Sequence, residues 1–116
     1  PAGKTLSLSL QMIEAASGAG ALCFVADNAC VPVLVEWNKN IAARLPAFPG
    51  LKGGLLESNG PENYGAAWPR MLAEYPLPDA PWLTPQDGTF ILDDTYYQAS
   101  GGLFQTTTAY SRLFRA

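Results

Sequence analysis

Two aspartates stand side by side, Asp93 and Asp94, inside the aromatic, threonine-rich stretch ILDDTYYQASGGLFQTTTAY that spans residues 91 to 110. Paired carboxylates can share a proton or hold a divalent cation, but only if both reach one point in space. The surrounding pattern predicts that they do not. Residues 89–99 and 103–114 both read as strands, and Gly101-Gly102 between them is a two-residue hairpin signal. Neighbours on a strand point to opposite faces, so the two carboxylates diverge. With that turn Asp93 lies opposite Tyr110 and diagonal to Arg112, an ordinary stabilising cross-strand arrangement. The expectation is an architectural pair and no catalytic residues.

The remaining chemistry is thin. The chain contains no histidine, which removes Ser-His-Asp and Cys-His nucleophilic mechanisms and the commonest metal ligand. It contains two cysteines, Cys23 and Cys30, so a structural zinc site would need carboxylates for half its ligands, an unusual set. Neither a metal nor another cofactor is expected. The two cysteines flank Asp27-Asn28 and admit two readings, a disulfide across a hairpin or two buried thiols. The segment SGAGA at residues 17–21 lacks the lysine and long following helix of a phosphate-binding loop and reads as a flexible connection. A free N-terminal proline such as Pro1 can act as a base, as in the tautomerases, but those proteins follow the first strand with a long helix, which QMIEAASGAG is too short and glycine-rich to supply.

The elements that would position these residues read as mainly β, in a single domain over residues 1–116. The length suits one modest core. TLSLSLQM alternates apolar and polar residues, giving a strand over 4–13 with Leu6, Leu8, Leu10 and Met12 on one face. The apolar runs around Asp27-Asn28 read as a hairpin over 21–37, with Pro32 placing the second strand at an edge or bulge. The proline-rich segment 46–86 excludes a long helix. Short helices are expected to open at Pro61 and Pro69, with Met71, Leu72 and Tyr75 turned inward. Beyond them, residues 76–88 read as an extended strap; the Pro78/Pro81 spacing has no nearby base to make it an SH3-type ligand. A C-terminal hairpin over 89–114 completes the reading.

Charge and hydropathy then limit the function. The chain is 48% apolar but only 15% charged, below the quarter or so usual for a free globular domain, so part of its surface is expected to be covered by a partner. Seven unclustered Lys and Arg residues against ten acids cannot supply a row of phosphate contacts, so no nucleic-acid partner is expected. No apolar run reaches the roughly 20 residues of a membrane span, so no membrane insertion is expected. Glu57 to Asp94 carries seven acids against Arg70, whereas the remaining residues carry six bases against three acids; such segments can pair within the fold or across subunits. The favoured expectation is a non-enzymatic structural subunit that packs against other protein subunits, of a virion, fibre or surface-assembly type, homo-oligomeric or with different chains. The compartment stays open, a virion or extracellular setting fitting somewhat better than the cytoplasm. The alternative is a small binding module that holds a ligand or protein with Tyr64, Trp68, Tyr75 and Trp82, and Tyr96 and Tyr97 add aromatic surface on the C-terminal hairpin.

Overall fold

A computed structural model of the chain describes residues 5–113 and 115. It corrects the fold class: the molecule is about 50% helical, and its one sheet consists of two short parallel strands.

The predicted first strand is helix α1, Leu6–Gly18. Thr5 caps it, its side-chain oxygen accepting the Leu8 N–H at 3.2 Å, and Gln11 to Ala16 are mostly good helix formers. The segment read as a flexible connection is a Schellman cap: Ala21 N–H donates to Ala16 O at 2.9 Å and Gly20 N–H to Ser17 O at 3.0 Å, with Gly20 at φ 78°. QMIEAASGAG thus supplies the second half of a helix, but no strand precedes that helix among the described residues, and Pro1 and Lys4 lie outside them.

Strand β1 (Val25–Asp27) is followed by helix α2 (Pro32–Ala42) and strand β2 (Leu56–Ser58), which pairs parallel with β1 in the register Val25 to Leu56 and Asp27 to Ser58. The hairpin over 21–37 is therefore replaced by a βαβ unit. Parallel neighbours need a crossover, and α2 supplies it. Pro32 occupies the first helical turn, where its missing N–H costs nothing, so it marks a helix start instead of a strand edge. The loop returning from α2 presses against the helix end at Gly54, where a Cβ would run into Ala42 O.

Beyond β2 come two short helices, α3 (Gly60–Tyr64) with Pro61 and α4 (Trp68–Ala73) with Pro69, then a 3-10 turn at Pro81–Leu83. A tight turn at Asp87-Gly88, both at positive φ, brings Gln86 and Thr89 into the one antiparallel bridge among the described residues. The C-terminal hairpin is corrected to helix α5 (Asp94–Ala99), a 3-10 turn (Ser100–Gly102) and helix α6 (Thr108–Leu113). Asp93 is the cap of α5, its Oδ1 accepting the Tyr96 N–H at 2.8 Å. Gly101-Gly102 takes positive φ as a turn would, but as part of the C-terminal end of α5. The opposed strands that paired Asp93 with Tyr110 do not exist, and the Tyr110 side chain lies outside the described set.

Helix α2 lies between two apolar clusters. On one side Val25, Ile41 and Ala42 pack with Ile13, Trp37, Leu45 and Leu56; on the other, Tyr75, Trp82, Leu83 and Tyr96 pack with Val33, Leu72, Leu77 and Leu92. The proline-rich segment is thus the wall of the second cluster.

Candidate functional site

The loops leaving the carboxyl ends of β1 and β2 gather Asp27, Asn28, Cys30 and Asn59. In parallel α/β sheets this edge is where strand-to-helix turns converge and where ligands are most often held. Asn59 locks the two loops together: its Oδ1 accepts the Ala29 N–H at 2.6 Å and its Nδ2 donates to Asn28 Oδ1 at 3.0 Å. Tyr64 adds an O–H bond to Ala29 O at 2.8 Å. Gly60 permits the close approach, since a Cβ there would strike Cys30 O and the Trp68 ring.

Beneath this latch Asp27 is 1% exposed, and neither of its carboxylate oxygens has a partner of hydrogen-bond geometry. The Cys30 thiol lies close enough to feel it. Burial first, then the Asp27 carboxylate, pushes the Cys30 thiol up to about 11, and Asn38 Nδ2 points at its sulfur from 3.8 Å. A thiol held protonated is a poor nucleophile, so this cysteine is not arranged for covalent catalysis. Among the described residues no three His, Cys, Asp or Glu side chains gather at one point.

A second polar group sits deeper. Lys39 Nζ donates to Glu36 Oε1 and to Trp82 O at 2.7 Å and lies 4.0 Å above the Phe90 ring centre, with Glu36 and Lys39 both almost wholly enclosed. Burial raises the Glu36 carboxyl and lowers the Lys39 ammonium, each opposed by the charge of the other. Tyr96 is fully buried, and its hydroxyl is pushed up by burial and by the nearby Glu36 charge; its oxygen and Glu36 Oε2 are both without hydrogen-bond partners. Gly101 fits against both groups, its carbonyl accepting from Tyr75 O–H at 2.8 Å and Trp82 Nε1 at 3.3 Å. Closed to solvent on all sides, this cluster holds the second core to α2.

The aromatics singled out from sequence are divided by the fold. Tyr64 and Trp68 are half-buried and stacked, 6.3 Å between ring centres. Tyr75, Trp82 and Tyr96 are core residues, and Tyr97 is exposed, edge-on to Tyr96. A ligand surface built from Tyr64, Trp68, Tyr75 and Trp82 together is thus reduced to one stacked pair. Cys23 and Cys30 are both free: Cys23 Sγ lies 3.8 Å from Ser17 Oγ, and Cys30 faces Asp27 and Asn38. Pro78 and Pro81 border a groove of about 410 Å³ that also touches Trp82, Asp93 and Thr95.

Sequence reasoning missed the features that α1 creates as a helix. No residue of α1 is buried; Leu6 is 37% exposed, Leu8 50%, Leu10 49% and Met12 63%. The helical repeat puts Leu6, Leu10 and Ile13 on one face and Leu8 and Met12 on another. The signal was in the letters, because LSLSL followed by QMIEAA fits both periods. Between α1 and α2 lies an apolar groove of about 280 Å³, with Arg44 and Asn40 at its polar end.

Searches against family models, curated proteins and solved structures match nothing. Among the described residues no helix is long and apolar enough to cross a membrane.

Proposed function

We propose that the chain is a non-enzymatic subunit that works by packing against a partner protein, with the outer face of α1 as the contact. The observation that carries this reading is the Leu8–Met12 stripe, apolar, continuous over one helical turn and open to solvent. The surface area supports it. A folded monomer of 12.4 kDa exposes roughly 6,100 Å², whereas this chain exposes 7703 Å². An excess of that order is more than one partner's share of a standard interface, about 800 Å². Phe24, at 51%, and Leu22, at 63%, extend the exposed apolar surface beyond the end of α1.

A virion or β-fibre setting is not carried forward, because the terminal hairpin whose edges were to pair with neighbours is helical. The test is solution mass against concentration, by sedimentation equilibrium. The expected result is a mass that rises with concentration or a stoichiometric partner that stays bound through purification. A clean monomer at high concentration without such a partner contradicts the reading.

A further inference from the structure

The groove between α1 and α2 differs in kind from the outer α1 face. Leu6 and Leu10 form one wall, Trp37 and Ile41 another, and Phe104, 79% exposed, stands over it. No acidic side chain lines it. Its one cation, Arg44, is fixed from one side: Nη1 donates to Asn40 O at 2.8 Å and to Asn40 Oδ1 at 3.0 Å, and the guanidinium carbon lies 5.5 Å from the Tyr97 ring centre. No carboxylate pairs with Arg44 among the described residues, and its remaining N–H groups are unclaimed there.

We infer that this groove binds a small amphiphile with an apolar tail and a carboxylate head, the tail lying among Leu6, Leu10, Trp37 and Ile41 and the head on Arg44. Charge complementarity chooses the head. An apolar wall ending at an unpaired, pre-positioned guanidinium matches a planar carboxylate, which it can engage through charge-assisted bonds. Size suits a small molecule: the volume of about 280 Å³ is close to the lower end of small-ligand sites at roughly 300 Å³.

The test uses the whole chain with octanoate, octanamide and propionate as probes, read by titration calorimetry and by tryptophan fluorescence, since Trp37 lines the groove. Octanoate is expected to bind, propionate not to bind for want of a tail, and octanamide to bind about tenfold more weakly than octanoate, the scale of one charge-assisted interaction. Arg44→Gln, an exposed position, should leave the circular dichroism unchanged and erase the preference for octanoate over octanamide. Leu10→Asp should remove binding of both. Equal binding of octanoate and octanamide by the unmodified chain overturns the proposal. So does the absence of octanoate binding, including the case where an acidic amphipathic peptide binds instead. Neither outcome bears on the Leu8–Met12 face, which these variants leave intact.

Discussion

Helix α2 buries a glutamate, an asparagine and a lysine, whereas helix α1 leaves three leucines and a methionine in solvent. The difference comes from how many neighbours each has. Packed on both sides, α2 must meet its polar groups internally, and the Lys39–Glu36 contact, the bond to Trp82 O and the Phe90 face do so for all of the Lys39–Glu36 pair but Glu36 Oε2. α1 touches the core mainly through Ile13 and has a free outer face. Stability is therefore concentrated around α2, whereas the contact proposed above lies on α1.

The contrast breaks first at Lys39. Lys39→Met strands a buried carboxylate and should cost about 3–5 kcal/mol in chemical denaturation, while Glu36→Leu with Lys39→Met together should cost far less. A single-mutant loss no larger than a surface change would dissolve the contrast. The same pair sets a pH dependence. Because burial raises Glu36, the folded chain keeps a proton that the unfolded chain releases near pH 4.5, so this group's contribution falls as pH rises above that point. Because burial lowers Lys39, the unfolded chain holds a proton that the folded chain has lost, so stability recovers as pH climbs towards 10.5. Denaturation across pH should show both limbs in the natural chain and neither in the double variant.

The helix caps of α1 and α5 differ in the same way, at a smaller scale. Asp93→Ala and Thr5→Ala each remove a side-chain cap worth about 1 kcal/mol to its helix. Asp93→Ala should lower global stability by that amount, because α5 carries buried Tyr96. Thr5→Ala should fray α1 alone, seen as faster amide exchange over residues 8–14 with an unmoved melting temperature. Equal global losses would mean that α1 is as integrated as α5.

The smallest effect is at Cys30. In a Cys23→Ser background its alkylation rate should climb with pH to a midpoint near 11. Asp27→Asn should move that midpoint down by only part of the shift, since burial is the larger cause. A midpoint unchanged by Asp27→Asn would separate the two groups.

Parts of this fold were legible in the sequence. Pro61 and Pro69 announced short helices; of Met71, Leu72 and Tyr75, expected inward, Leu72 and Tyr75 join the second cluster while Met71 is half-buried outside it. Pro32 carried the same signal and lost to the β-branched run around it, because valines suit a strand locally while tertiary burial can hold them in a helix. The period-2 reading of LSLSL failed because flanking caps at Thr5 and Gly20, not the apolar spacing, decide its state. Gly101-Gly102 takes the positive φ that a two-residue hairpin turn needs, but it does so at a helix end, which asks the same of glycine. Asp27, Cys30 and Asn59 could not be recognised as neighbours without the parallel crossover that joins their loops, and the Arg44 groove exists only once α1 is helical.

The outer face of α1 carries the proposed contact, and Leu8→Glu with Met12→Glu addresses it directly. Compared by sedimentation equilibrium over a concentration series, the natural chain should gain mass or retain its partner, and the double variant should stay monomeric with unchanged helicity and melting temperature. A variant that associates as the natural chain does, or a natural chain that never associates, would contradict the assignment of that face.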